Sequence, residues 1–69
     1  MPLTMAGVGA ERQIRRIGGN PQVRSHLENL GFVEGERVRV VSDISGNLIV
    51  QVKEARIAIS RELAARIMV

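Results

Sequence analysis

The side chains that most often carry out chemistry in proteins are few in this sequence and stand apart from one another. The chain contains no cysteine and one histidine, His26, which follows Ser25. On a helix two adjacent residues point about 100° apart, so this serine and this histidine do not form a nucleophile–base pair. No GxSxG motif and no phosphate-cradling glycine loop is present. We therefore predict that the chain is not an enzyme and has no catalytic residues.

A metal site is the second kind of chemistry to consider. Transition-metal sites bring several histidine, cysteine or carboxylate side chains together. Here His26 stands alone on a predicted helix, and Glu28 faces another side of that helix. Glu34 and Glu36 belong to a predicted turn. An ordinary exposed histidine is the simpler interpretation, so we assign no metal ligand and no cofactor.

Nucleic-acid binding is the alternative function that the charge of the chain suggests. Nine of the ten basic residues are arginine, and the net charge is +3. Arg37, Arg39, Lys53 and Arg56 are predicted to share one face of a sheet, which would supply the electrostatic half of such a site. The stacking half is missing, because the only aromatic residue, Phe32, is predicted to lie in the core. A small basic nucleic-acid-binding module therefore stays as the alternative.

Protein binding is the function that this face favours. Val41 and Ile49 have the strand parity of the outward face, where the arginines also lie. Aliphatic side chains ringed by arginines form a reasonable docking surface for a partner protein or for a second copy of the chain. The predicted partner-binding residues are Arg37, Arg39, Val41, Ile49 and Arg56.

A helix followed by a strand must position these residues. Asn20 is suited to cap the helix, and Pro21 fits its first turn. Val23, Leu27 and Leu30 then recur at helical spacing and mark its inward face.

The end of that helix is predicted from a glycine. Gly31 can adopt the left-handed conformation that closes a last turn, and Phe32 is placed to fold back under the helix. A turn at Gly35 leads to a strand in which Val38 and Val40 point inward. The residues of this predicted structural motif are Leu27, Leu30, Gly31, Phe32 and Gly35.

Short strands are predicted on both sides of the motif. The first covers Glu11 to Ile17 and needs a bulge or bend near Arg15-Arg16, because Ile14 and Ile17 are three residues apart. The turn formers of Ser42 to Asn47 are predicted to separate two later strands.

The last third of the chain is predicted to contain a tight hairpin and a closing helix. The hairpin turns at Glu54-Ala55, and Ser60 caps a short helix with Leu63 and Ile67 facing inward. The predicted inward-facing residues are Ile14, Ile17, Val23, Leu27, Leu30, Phe32, Val38, Val40, Leu48, Val50, Val52, Ile57, Ile59, Leu63 and Ile67.

The length of 69 residues sets the architecture. Residues 1–69 are predicted to form a single domain with a small core. Four or five short strands, one helix after the first strand and a short C-terminal helix fit a mainly β, SH3-like, partly open barrel. No apolar run approaches the roughly 20 residues of a membrane span, and no signal peptide is visible, so we expect a cytoplasmic protein.

The same residues resemble the FeoA family, small accessory proteins of bacterial ferrous-iron transport. The most specific match is Leu27-x-x-Leu30-Gly31-Phe32-x-x-Gly35 followed by a valine-rich strand, and the resemblance covers essentially the whole chain. The other matching residues are Leu3-Thr4 ahead of Gly9 and Glu11, Ile14 and Ile17 ahead of Gly18-Gly19, Arg56-Ile57-Ala58-Ile59, and Ala64-Ala65-Arg66-Ile67.

The resemblance implies an SH3-like domain that works with FeoB, the large membrane GTPase-permease of the same transport system. A non-enzymatic protein that docks on the cytoplasmic part of that permease is therefore expected. A similar domain ends some metal-dependent repressors, whose DNA-binding and dimerisation segments do not fit in this chain. The resemblance also raises metal binding, for which these residues show no site. Glu54 and Ala55 depart from the family pattern, which has a glycine and a larger side chain there.

Overall fold

The computed structural model describes all residues from Met1 to Val69. None of the helices combines the length and the apolar composition that a membrane span requires. In chain order, a 3-10 turn (Leu3–Met5) is followed by β1 (Glu11–Gln13), β2 (Arg16–Ile17), α1 (Pro21–Asn29), β3 (Arg37–Ile44), β4 (Asn47–Val52), β5 (Ala55–Ser60), α2 (Arg61–Ala64) and β6 (Ile67–Met68).

The strands form two antiparallel sheets. The larger sheet has four strands in the order β1-β3-β4-β5, and the smaller one pairs β2 with β6. The mainly β architecture is as predicted, and the sheets are not closed into a barrel. The outer face of the four-stranded sheet carries the exposed residues Arg37, Arg39 and Arg56, and this face positions the candidate site.

The core contains thirteen buried residues, and all of them are apolar. Eleven of the fifteen predicted inward residues are among them. Leu3 and Ala64 are also fully buried, and their burial was not predicted. The other four predicted residues are only partly buried and pack against the core: Val23, Leu30, Ile57 and Leu63.

Helix α1 begins and ends as its sequence predicts. The Val23 N–H donates to Oδ1 of Asn20 at 2.9 Å, which caps the first turn. At the other end Gly31 has φ of +107°, a conformation that favours glycine. The Phe32 N–H then donates to the Leu27 carbonyl at 3.0 Å, and the ring of Phe32 is fully buried. The helix is thereby fixed against the core immediately before β3.

The prediction of one strand from Glu11 to Ile17 is wrong. Two strands, β1 and β2, occupy this stretch and belong to different sheets. The Ile14 N–H donates to the Glu36 carbonyl at 2.8 Å, whereas the next N–H, of Arg15, donates to the Met68 carbonyl at 2.7 Å. The chain passes from one sheet to the other between these residues, which explains the spacing of three between Ile14 and Ile17.

The turn between β3 and β4 is shorter than predicted. β3 continues to Ile44 and β4 begins at Asn47, so only Ser45 and Gly46 form the turn. Their φ values are +45° and +81°, as a two-residue turn of this hand requires. Turn-forming residues such as Ser42 and Asp43 are thus paired in the strand.

The next turn lies one residue earlier than predicted. It consists of Lys53 and Glu54, and Ala55 is already the first residue of β5. Lys53 adopts the left-handed conformation, with φ of +55°. A tight hairpin is therefore formed without glycine.

The predicted closing helix is present, but it is too short to include Ile67. The Leu63 N–H donates to the Ser60 hydroxyl at 3.2 Å, as predicted for the cap, but α2 ends at Ala64. Ile67 lies in β6, where it pairs with Ile17. Within α2, Ala64 is fully buried and Leu63 only partly so. The last buried side chain is thus held by a strand rather than by the helix.

Candidate docking surface

The outward face of the four-stranded sheet gathers most of the residues predicted to bind a partner. Cross-strand pairing aligns Glu11 with Arg39, Arg39 with Gln51, and Gln51 with Arg56. Directly opposed residues point to the same face of a sheet. These four residues, which we call the arginine row, therefore run across all four strands.

The basic side chains of this face differ in whether they have acidic partners. Nη1 of Arg37 lies 3.4 Å from Oε1 of Glu11, and Nζ of Lys53 lies 3.9 Å from Oε2 of Glu36. Arg39 and Arg56 make no ion pair within the 4.0 Å that defines one. Because the paired side chains are largely exposed, each pair stabilises the fold by at most about 1 kcal/mol. Arg39 and Arg56 are the two arginines of the face that are available to an anionic group.

A shallow depression of about 180 Å³ lies between these two arginines. The other residues that line it are Gly9, Val40, Val41 and Gln51. Arg39, Val41 and Arg56, three of the five predicted partner-binding residues, are thus brought together. Polar, charged and aliphatic groups converge here in the mixture that protein interfaces use.

A β-bulge places Val41 in this depression. Val40 opposes Val50, but Ser42 opposes Ile49, so Val41 is an extra residue without a partner on β4. Val41 is half-buried. The bulge therefore turns an aliphatic side chain towards the arginine row.

Ile49 and Arg37 lie outside the depression. Ile49 is half-buried and occupies the next row, between Ser42 and Ala58. Arg37 lines an adjoining depression of about 210 Å³ together with its partner Glu11, and Arg39 and Gln51 line both depressions. Ile49 thus extends the aliphatic part of the surface, whereas the charge of Arg37 is largely satisfied within the chain.

Two contributors to the depression were missed from the sequence. Gln51 shares its parity with Ile49, so strand alternation could have found it. Gly9 is held at the depression by a hydrogen bond from its N–H to the Val40 carbonyl at 2.8 Å. No local sequence pattern predicts that contact.

The residues considered for a metal are dispersed in the structure. No group of three or more histidine, cysteine, aspartate or glutamate side chains could hold a metal ion. His26 is exposed on α1. Glu28 and Glu34 line a charged depression with Arg16 and Arg24, and both acidic side chains there have basic neighbours.

The basic residues of the sheet face are interspersed with acidic ones and do not form a purely basic track. Arg12, Arg15 and Arg37 line one depression with Glu11, and Arg37, Arg39 and Lys53 line the next with Glu11 and Glu36. Arg24 lies on α1 and lines yet another one. Phe32 is fully buried and offers no surface on which a base could stack.

The family comparisons extend over the whole chain. A family model described as the FeoA domain matches residues 1–69. A curated relative from Methanocaldococcus jannaschii, named as an Fe(2+) transport protein A, is 32% identical over 68 residues, which is 99% of this chain and 83% of that protein.

Solved structures show the same fold. A crystal structure of an iron uptake regulatory protein, FeoA, is 30% identical with a TM-score of 0.87, covering 96% of this chain and 88% of that one. The FeoA of Stenotrophomonas maltophilia, crystallised with zinc and described as a procaryotic SH3 domain protein, is 30% identical with a TM-score of 0.85, covering 99% of this chain and 87% of that one. The SH3-like fold predicted from the sequence is confirmed.

Proposed function

Because the chain belongs to the FeoA family of small ferrous-iron transport accessory domains, we propose that it docks on the cytoplasmic part of a FeoB-type membrane GTPase-permease. The docking surface is the outward face of the four-stranded sheet. The observation that carries the proposal is the pair of arginines that form no ion pair, Arg39 and Arg56, which line one depression together with Val41. The role is non-enzymatic and uses no cofactor.

Burial of the aliphatic residues of the face supplies the apolar contribution to the free energy of docking. Val41 and Ile49 are half-buried in the free chain, so part of their surface remains to be covered by a partner. Each apolar Å² removed from water contributes about 25 cal/mol. Two side chains are a modest anchor, which suits a reversible complex rather than a permanent one.

The arginines supply orientation and association rate. Arg39 and Arg56 are exposed and attract acidic groups over several ångströms. Covering an arginine without pairing it is costly, because the charge loses its hydration. The matching surface of the partner must therefore offer carboxylates at these two places.

Co-purification from membranes that carry the permease tests the proposal. The double variant Ile49→Asp with Arg39→Glu alters the outward face and no buried residue, so we expect it to fold and to lose the permease. Met5→Asp with Arg24→Glu is the matched control, since Met5 is 70% exposed and Arg24 lies on α1, both outside the arginine row. Circular dichroism verifies that all three proteins are folded. Retention of the permease by the folded outward-face variant would overturn this assignment.

Nucleic-acid binding is tested with the same purified chain. We expect no association with labelled random DNA or RNA at physiological salt. Binding that weakens in proportion to log salt concentration, with a slope set by the number of phosphates neutralised, would instead favour the alternative function.

A further inference from the structure

The last strand of the larger sheet, β5, has one edge that no other strand covers. It stands at the end of the strand order, next to β4 only. Its register with β4 is regular, without a bulge, from the pair Val52–Ala55 to the pair Asn47–Ser60. Natural proteins commonly protect such an edge with proline, a bulge, charged side chains or a covering segment. β5 contains no proline and no bulge, its one charged residue is Arg56, and Arg56 and Ala58 are exposed.

The geometry of the hairpin formed by β4 and β5 determines which backbone groups point towards this edge. A two-residue turn is flanked by a hydrogen-bonded pair, and such pairs alternate with non-hydrogen-bonded pairs in an antiparallel ladder. The turn Lys53–Glu54 makes Val52–Ala55 the flanking pair. Ala55, Ile57 and Ile59 therefore bond to β4. The N–H and C=O groups of Arg56 and Ala58 point towards the uncovered edge.

Hydrogen bonds elsewhere in the sheet lead to the same assignment of which β5 backbone groups face β4 and which face the uncovered edge. The Val40 N–H donates to the Ala10 carbonyl at 3.0 Å, and the Val40 carbonyl accepts from the Gly9 N–H at 2.8 Å. Since Val40 bonds towards the β1 side, its pair with Val50 is non-hydrogen-bonded, and the polar groups of Val50 point to β5. Val50 opposes Ile57, so Ile57 bonds inward and its neighbours bond outward.

The side chains at this edge select the chemistry of an added strand. Arg56 ends the arginine row and has no acidic partner. A residue opposite Arg56 would lie on the outward face, where a carboxylate would form a cross-strand ion pair. The neighbouring residue of the added strand would point the other way, beside half-buried Ile57, where an aliphatic side chain would gain contact.

We propose that β5 receives an extended acidic segment of a partner protein as a fifth strand, with a carboxylate opposite Arg56 and an aliphatic residue beside Ile57. The inference deepens the proposed function and rests on it for the identity of the partner. A second copy of this chain fits the edge less well. Symmetric pairing about Ala58 would set Arg56 against Ser60 and leave both arginines without a carboxylate.

A peptide titration tests the edge directly. The full chain, labelled with nitrogen-15, is titrated with the blocked peptide acetyl-TVEVT-amide, whose glutamate and valines alternate as the added strand requires. We expect saturable shifts and slowed hydrogen exchange at the amides of Arg56 and Ala58. The peptide acetyl-TVKVT-amide should bind roughly tenfold more weakly, because its lysine would oppose Arg56.

Three substitutions separate backbone pairing from charge. Ala58→Pro removes the N–H that faces the edge and should abolish binding, while Ala58→Val keeps that N–H and should preserve it. Arg56→Glu leaves the backbone intact and should reverse the preference, so that the lysine peptide binds more tightly than the glutamate peptide. The reversal keeps the test decisive even if the proline variant does not fold.

Several results would overturn the inference. The peptide titration would do so if it gave no saturable shifts, shifts confined to other strands, or equal affinity for both peptides. Protection of the Ala58 amide from hydrogen exchange that grows with chain concentration alone would do so as well, because it would identify a second copy as the occupant. The proposed function is judged separately. If the permease co-purifies equally with wild type and with folded Ala58→Pro, the edge inference fails and the docking proposal stands. If the glutamate peptide binds at β5 but the permease does not co-purify, the docking proposal fails and the edge inference stands.

Discussion

Arg39 and Arg56 stand on opposite sides of Gln51 in one row of the sheet, and neither forms an ion pair, although Glu11 opposes Arg39 on β1. Neighbouring strands lie about 4.8 Å apart, so the two backbones are separated by roughly 10 Å across β4. Arg37 on the same face forms an exposed ion pair with Glu11 at 3.4 Å. The chain thus satisfies one arginine internally and leaves two others exposed beside a depression, which favours a partner with acidic groups.

The first prediction concerns the glycine that ends α1. Gly31→Val should lower the free energy of unfolding by more than about 1 kcal/mol, since β-branched residues tolerate positive φ poorly. An added Cβ would lie 3.6 Å from Cγ1 of Val52, an ordinary contact, so the penalty arises from the backbone rather than from a clash. Chemical denaturation measures the change.

Gly18 offers a matched control for this substitution. It does not have a positive φ, and a Cβ there would lie 3.5 Å from the Arg66 carbonyl oxygen. Gly18→Ala should therefore cost less than Gly31→Ala. An unchanged denaturation midpoint for Gly31→Val would show that the left-handed conformation is not needed.

The second prediction concerns the only aromatic residue. Phe32 is fully buried, and Phe32→Ala should cost about 3–5 kcal/mol through lost contacts and the cavity left behind. In a small domain this is a large share of the total stability. Val8→Ala is the control, because Val8 is 63% exposed and its change should alter stability by less than about 0.5 kcal/mol. Thermal unfolding followed by circular dichroism compares the two; equal melting temperatures would refute the assignment of Phe32 to the core.

The third prediction concerns iron. Ferrous iron titrated anaerobically into the pure chain should reveal no site of micromolar affinity or better, since no three ligating side chains converge. His26→Ala should leave the titration unchanged. Tight stoichiometric binding that disappears in this variant would contradict the prediction and identify His26 as a ligand.

The helix and its cap could be predicted because their signals are local. Asn20, Pro21 and the apolar spacing that leads to Leu30 lie within one short stretch, and the structure confirms the helix that they indicate. The alternation of apolar residues likewise predicted which side chains of β3 and β4 face the core. Val38 and Val50 are buried as expected.

What could not be predicted depends on contacts between distant residues. The division between β1 and β2 follows from two successive N–H groups, of Ile14 and Arg15, that bond to Glu36 and Met68. β6 exists because Ile67 pairs with Ile17, at the other end of the chain. A periodicity within one segment carries no information about such partners, so one strand with a bulge or bend near Arg15-Arg16 and a longer closing helix were expected instead.

The candidate surface, too, could be predicted where local pattern was sufficient and not where it depends on contacts between distant residues. Strand parity was sufficient to select Arg39, Val41 and Arg56, which meet in one depression. The ion pair of Arg37 with Glu11 depends on the register between β1 and β3, which no local pattern provides. Whether an arginine is neutralised or available is thus a property of the fold rather than of the sequence around it.

The most direct test of the docking proposal is a calorimetric titration of the purified cytoplasmic part of a FeoB-type permease with this chain. We predict saturable binding by wild type and by the control with Met5→Asp and Arg24→Glu, and no measurable binding by the folded variant with Ile49→Asp and Arg39→Glu. Wild-type affinity should also fall as salt is raised, because the two available arginines contribute to association. An absence of wild-type binding, or equal affinity for the outward-face variant, would contradict the central claim.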